Sequence, residues 1–278
     1  MPYLRQILYR PPSRRDVYPH TQVLMTHLAD ISFDQPVTLL TGDNGAGKTT
    51  LMEILAQKLR AVRIGGTEAG LRAEAVARSL SCFTLRQGRR ARQNFYFTAE
   101  DFIKYIDWME QTRQEARQDL ERVEREFSTP LAREYARMPH AGTLAALESR
   151  YGANLAERSH GEGFLDFFRS RLVPGGLYLM DEPEGALSYE NQYVLALMIR
   201  DAAKQACQFI LATHSPVLTA IPEAMVYHLD RGIPRPYTYE QLPDIQFLQL
   251  FLERRARFFM EDLTDPQGEE ADSPDDGV

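Results

Sequence analysis

Gly42-Asp43-Asn44-Gly45-Ala46-Gly47-Lys48-Thr49-Thr50 decides how the rest of the chain is read. It fits the spacing G-x-x-x-x-G-K-[ST] of a phosphate-binding loop, with Gly42, Gly47, Lys48 and Thr49 at the defining positions. Glycine is needed there because the backbone turns sharply and brings successive N–H groups against phosphate oxygens, where a Cβ would intrude. Lys48 adds a point charge for terminal phosphates, and the Thr49 hydroxyl is suited to Mg²⁺. The flanks agree. Val37-Thr38-Leu39-Leu40 reads as a buried strand running in, and Leu51-Met52-Glu53-Ile54-Leu55 as a helix running out, its positive end toward the phosphates. A fortuitous glycine turn is the competing reading.

The chain has 278 residues, 44% hydrophobic and 26% charged, which suits one large α/β domain or a core with an inserted lobe. Its formal net charge is −7, but residues 261–278 hold eight acids and no base. The body is therefore nearly neutral, and total charge does not indicate a basic nucleic-acid binder. Residues 265–278 are expected to be a disordered acidic tail. Cys82 and Cys207 sit in apolar, strand-like surroundings and are expected to be buried free thiols. Met1-Pro2-Tyr3-Leu4-Arg5 lacks the apolar run of a signal peptide, and no window reaches the about 18 apolar residues of a membrane span. A cytoplasmic protein without direct membrane insertion is expected.

Beyond the loop, strands and helices alternate. Strands are expected at 61–64, 81–85, 93–98, 177–180, 208–213 and 224–229, and helices at 68–79, 164–172 and 189–205, with a final one inside 239–260. The proline-punctuated stretch 10–19 is expected to be irregular, with short strands around it in a small antiparallel sheet. Arg86, Arg89, Arg90 and Arg92 with Gly88 suggest a basic, hairpin-like tip. From Asp101 to Phe127 the pattern is helical. Met109, Ala116, Leu120, Val123 and Phe127 repeat at coiled-coil-like spacing interrupted by Arg113, and Glu121 and Arg125 form an i,i+4 pair. Pro130 and Pro139 are expected to break the segment. It reads either as a helical hairpin packed on the body or as an arm meeting a second subunit. The whole pattern calls for an α/β fold with a mainly parallel core sheet, a small N-terminal antiparallel sheet and a helical lobe inserted over about 101–170.

Two more pieces complete a candidate site. The apolar run 177–180 is followed at once by Asp181-Glu182-Pro183, which a parallel sheet delivers to its C-terminal, ligand-binding end. Asp181 suits a Mg²⁺ shell, and Glu182 suits the polarisation of an attacking water. His214 follows another apolar strand, where its imidazole could reach a γ-phosphate or that water. Glu100, just past the strand 93–98, is a further candidate for Mg²⁺ or water, and Tyr18 could stack on a base or sit in a small core.

In these motifs the chain resembles ABC-type P-loop ATPases over about residues 17–260. Tyr18-Pro19, Ser159-His160-Gly161-Glu162, Asp181-Glu182-Pro183-Glu184 and Ala212-Thr213-His214-Ser215-Pro216 look like stand-alone bacterial ATPases of a RecF- and SMC-related branch. The resemblance implies a single ATPase domain over 1–264, ATP and Mg²⁺ as cofactors, Lys48, Glu182 and His214 in catalysis, and Thr49 and Asp181 on the metal. It implies a head-to-tail homodimer in which Ser159 and Gly161 of one subunit meet ATP held by the phosphate loop of the other, with nucleic acid or a protein left open as a further partner. Arg158, His160 and Glu162 depart from the usual Leu-Ser-Gly-Gly-Gln signature, and Ser188 stands where the following loop usually has aspartate. The alternatives are a transporter's ATP-binding subunit, a regulatory ATP sensor with negligible hydrolysis and, least favoured, a P-loop kinase.

Overall fold

The computed structural model describes residues 2–63, 71–151 and 160–260, and it divides into two units, Met1–Tyr237 and Thr238–Val278. The expectations for Ser159 and for the tail 265–278 fall outside the described residues.

In the first unit a seven-stranded sheet is built from β2 (Val37–Gly42), β3 (Val62–Arg63), β5 (Asn94–Thr98), β6 (Leu177–Asp181), β7 (Gln208–Ala212), β8 (Met225–Asp230) and β9 (Ile233–Tyr237). The order is β3-β5-β6-β7-β2-β8-β9, parallel except for β9, which runs antiparallel on the edge against β8. The sequence reading missed β9 because Ile233-Pro234-Arg235-Pro236-Tyr237 carries two prolines. An edge strand tolerates them, since its outer N–H groups need no ladder partner. The small antiparallel sheet pairs β1 (Leu4–Tyr9) with β4 (Phe83–Gln87). No second strand forms directly after the proline stretch; there the chain makes a 3-10 helix, Val23–Asp30, and a single bridge from Gln6 to Ser32. The expected hairpin at Arg86–Arg92 does not form: the chain leaves β4 through bends at Gly88 and Arg89, because β4 and β5 belong to different sheets.

Helices cover both faces, as a parallel sheet requires. Strands β2, β6 and β7 are buried along their whole length. On one face Leu40, Tyr96, Leu177, Leu179, Ile210 and Ala212 join Leu51, Ile54 and Leu55 of α1 (Lys48–Lys58) in the main core. On the other, Tyr178 stacks between Phe95 and Phe209 at 5.3 and 5.0 Å, and Phe97 meets Phe167 and Phe168 of α5 (His160–Arg171) edge-on. Gln208 joins β1 to this sheet. Its Oε1 accepts from the Tyr3 and Leu4 N–H groups at 2.8 and 2.9 Å, and its Nε2 donates to the Leu4 and Phe33 carbonyls at 2.9 and 2.7 Å. Further helices are α2 (Leu71–Ser79) and α6 (Tyr189–Lys204).

Between β5 and α5 lies a helical hairpin, α3 (Ala99–Glu126) and α4 (Pro130–Tyr151). Thr98 caps α3 by accepting from the Asp101 N–H at 2.9 Å, with Glu100 and Asp101 favourably placed in the first turn. Met109, Arg113, Ala116 and Val123 are buried along the seam. Pro139 does not break α4, contrary to expectation. An internal proline costs about 3 kcal/mol, but Arg137 pairs with Glu124 at 3.0 Å and His140 lies 3.4 Å from Asp119, tying both sides of Pro139 to α3. The expected Glu121–Arg125 ion pair is replaced by Arg125 Nε donating to the Glu121 carbonyl at 3.2 Å.

In the second unit, α7 (Pro243–Met260) follows a 3-10 turn, and Phe247, Phe251 and Phe258 cluster along it. Among the described residues no helix is long and apolar enough to cross a membrane.

Candidate functional site

Strand β7 lies between β2 and β6, and this order assembles the site. Ala212 at the end of β7 is in register with Leu40 on one side and Asp181 on the other. The phosphate loop after β2, the acids at the end of β6 and the histidine after β7 therefore emerge side by side at the C-terminal edge of the sheet.

The loop 42–47 leads straight into α1. Gly42 holds φ at +122°, and a Cβ there would meet the Leu229 carbonyl at 2.6 Å, so both backbone and neighbour demand glycine. Gly47 holds φ at +101° as the residue capping α1. Tyr18, Asn44, Gly45, Gly47, Lys48, Thr49, Thr50 and Glu182 surround a recess of about 120 Å³. The Lys48 Nζ is buried and donates to the Gly42 and Asp43 carbonyls at 2.6 and 3.1 Å. Burial pulls its pKa below the ordinary lysine value, partly offset by the negative charges of Glu182, Asp181, Asp43 and Glu184. The Ala46 N–H is occupied by the Asp43 carbonyl at 3.2 Å. Tyr18 borders the recess with its hydroxyl 3.0 Å from Thr50 Oγ1, and its ring packs against the main core.

Thr49 Oγ1 lies 3.4 Å from Asp181 Oδ1. Glu182 adopts the left-handed conformation at φ 49°, a cost of order 1–3 kcal/mol that a β6-to-turn junction at a site can carry. Its N–H is held by the Ala212 carbonyl at 2.8 Å, its side chain is half exposed, and its Oε1 is 4.0 Å from His214 Nε2. Glu100 is exposed and paired with Lys104 at 2.6 Å, a bond that holds its carboxyl below the usual carboxylate range. It shares a wider cleft of about 700 Å³ with Thr49, Asp181 and Glu182. Gly161, in the first turn of α5, lines neither space; it packs against the Asn191 side chain and the Ala186 carbonyl.

The recess fits phosphate groups, and the adjoining Thr49–Asp181 pair fits a Mg²⁺ ion bound to them. Gly45, at φ +82°, leaves open space where a Cβ would stand, and a buried ammonium faces the recess. Among the described residues no group of three or more His, Cys, Asp or Glu side chains could hold a metal unaided. A Mg²⁺ ion would thus be held by the Thr49 hydroxyl and Asp181 together with phosphate oxygens, the usual manner for this ion.

Sequence reasoning missed several neighbours. Gln22 lines the recess with a buried Oε1 that has no hydrogen-bond partner among the described residues. Arg63 joins Glu53 of α1 at 3.1 Å to Asp101 of α3 at 2.8 Å, with its guanidinium over the Tyr96 ring. Nothing local in the sequence marks either, because each contact spans separate elements.

A protein family described as an AAA domain matches residues 24–139, and one described as an AAA domain, putative AbiEii toxin, Type IV TA system, matches 98–220. The chain is 30% identical over 199 residues to the lipoprotein-releasing system ATP-binding protein LolD of Chromohalobacter salexigens, spanning 69% of this chain and 77% of that protein. It is 25% identical over 232 residues to ABC transporter I family member 1 of Arabidopsis thaliana, spanning 81% and 89%. The chain belongs to the ABC-type P-loop ATPases. A Pyrococcus furiosus Smc head domain, solved bound to the C-terminal domain of ScpA, is similar to this ABC-type ATPase at 14% identity and a TM-score of 0.45, over 92% of this chain and all of that one.

Proposed function

We propose that this ABC-type ATPase hydrolyses ATP and works as a nucleotide-driven switch that closes as a head-to-tail homodimer. The observation that carries the reading is the convergence of Lys48, Thr49, Asp181, Glu182 and His214 at the ends of three adjacent strands. Lys48 and the loop N–H groups hold the β- and γ-phosphates. Thr49 and Asp181 would hold a metal ion, which would neutralise phosphate charge when bound. Glu182 accepts the proton of an in-line water, and His214, beside it, orients that water or the γ-phosphate. Glu100, which lines the same cleft, would offer a carboxylate to the water or to the metal ion. Tyr18 sets the wall on the base side of Thr50.

Ser159 and the N-terminus of α5 at Gly161 serve the second subunit's γ-phosphate. The chain then forms one ATPase domain over 1–264, with its lobe at 101–170, in the RecF- and SMC-related branch with a role in nucleic-acid maintenance or phage defence. The basic tip gives that role little support. Arg89 bonds the Tyr3 hydroxyl at 2.8 Å and stacks on its ring, and Arg86 bonds Gln6 at 3.1 Å.

The test is the molar mass in solution of Glu182→Gln with and without Mg-ATP. Doubling only with ATP, abolished by adding Ser159→Arg, is the expected result. A protein that binds ATP and never doubles overturns the homodimer. The names of the two curated relatives would then favour an ATP-binding subunit whose second half is another protein.

A further inference from the structure

The segment after β7 carries His214, and two separate anchors hold it. One is built on Ser215. Its hydroxyl donates to Gln192 Oε1 of α6 at 2.7 Å and accepts from the Val217 and Leu218 N–H groups at 3.1 and 3.0 Å, while the Ser215 N–H reaches Thr213 Oγ1 at 3.0 Å. Gln192 is itself fixed, with its Nε2 donating to the Leu187 carbonyl at 3.0 Å. These groups are buried, so the turn is closed and tied to α6 without help from the acidic motif.

The second anchor is Glu184, in the 3-10 turn Pro183–Ala186 that follows Asp181 and Glu182. Its Oε1 accepts from the His214 N–H at 2.5 Å. Its Oε2 is buried and has no hydrogen-bond partner among the described residues. A charged group that keeps one oxygen unsatisfied is costly to retain, and an apolar side chain of similar volume would remove that cost. A surface acid would not sit this way. The geometry singles out one service the group performs: the peptide it grips belongs to the histidine whose ring stands 4.0 Å from Glu182.

We propose that Glu184 is a positioning residue of the hydrolytic site, holding the His214 peptide against the Asp181–Glu182 turn so that imidazole and carboxylate face the same water. The inference rests on the hydrolytic reading of Glu182 and His214. Glu184 touches neither the phosphate recess nor the cleft beside it. Its removal therefore acts chiefly on the chemical step, since its charge is the smallest of those acting on Lys48, whereas loss of the Ser215–Gln192 anchor would loosen the turn as a whole.

The experiment uses the full chain labelled with ¹⁵N-histidine, which gives only six backbone signals to assign. In nucleotide-free protein, amide exchange at His214 is compared among wild type, Glu184→Gln and Glu184→Leu, and steady-state ATP hydrolysis is measured on the same samples. Glu184→Leu removes the acceptor. Exchange at His214 should then rise about tenfold or more by local opening. The kcat should fall about tenfold or more with KM within about twofold, since a displacement of about 1 Å can cost that much. Glu184→Gln keeps a carbonyl acceptor and should restore both protection and kcat to within about threefold of wild type. Unchanged His214 exchange in Glu184→Leu overturns the anchor. Equal loss in the Gln and Leu variants, or a rise in KM matching the fall in kcat, overturns the positioning role. If wild type itself hydrolyses no ATP, the proposed function fails, while the exchange comparison still decides whether Glu184 holds the loop.

Discussion

Lys48 keeps a positive charge in a buried recess with two backbone carbonyls of its own loop as hydrogen-bond partners. Burial favours its neutral form, and the surrounding carboxylates only partly correct this. Bound phosphates favour the charged form, so binding must protonate any Lys48 that has lost its proton. ATP affinity should therefore be flat near neutrality and fall on the alkaline side at lower pH than an ordinary lysine would dictate. Calorimetric titration from about pH 7 to about pH 10 checks this, with proton uptake growing over the same range. Without nucleotide the slope has the opposite sign. The cost of the buried ammonium is fully present below its lowered folded pKa and is relieved as pH rises from there toward the ordinary lysine value. An affinity that holds steady into the ordinary lysine range would show that the recess does not perturb Lys48. The lysine and its spacing are visible in the sequence. The Gln22 oxygen on the same wall, without a partner among the described residues, is not, because residues 22 and 48 line one recess only through folding.

Strand β6 shows how one element carries both the site and its support. Asp181 ends it, while Tyr178 near its start stacks between Phe95 and Phe209 and aims its hydroxyl back along the chain. That hydroxyl accepts from the Val173 N–H at 2.7 Å and donates to the Arg171 carbonyl at 3.1 Å, and burial pushes its pKa up to about 12. A Cβ on Gly176 would collide with the ring, which explains glycine at that turn. Tyr178→Phe keeps the stack and removes the hydroxyl, leaving the Val173 N–H without this partner. The expected loss is about 1–3 kcal/mol in denaturant unfolding, and a change under about 0.5 kcal/mol would rule out a supporting role for the bond. The strand was legible as an apolar run followed by two acids. The helical hairpin was legible only in part. Pro139 announces a break, yet Arg137 and His140 on either side of it are held to α3 by acids that lie 13 and 21 residues earlier in the sequence.

For the whole molecule, the small sheet and the large one meet through Gln208, which satisfies two N–H groups and two carbonyls on segments far away in sequence. Gln208→Leu fits an apolar strand but withdraws all four bonds. It should cost at least about 2 kcal/mol of stability, read from the unfolding midpoint, and a neutral result would mean that apolar packing alone joins the sheets. The sequence by itself determined the α/β class, the mainly parallel sheet and the positions of the phosphate loop, the strand-end acids and the strand-end histidine. Each of these is written in local spacing: glycines the backbone requires, apolar runs buried on both faces, and charge at a run's end. Only the tertiary structure decided that β7 lies between β2 and β6, which sets the three motifs side by side. It also decided that Glu184 grips the His214 peptide, that Arg63 links α1 to α3, and that Gln208 closes the sheets together. Those are contacts between distant segments, and a glutamine, arginine or glutamate looks the same in sequence whether it meets solvent or a buried backbone group.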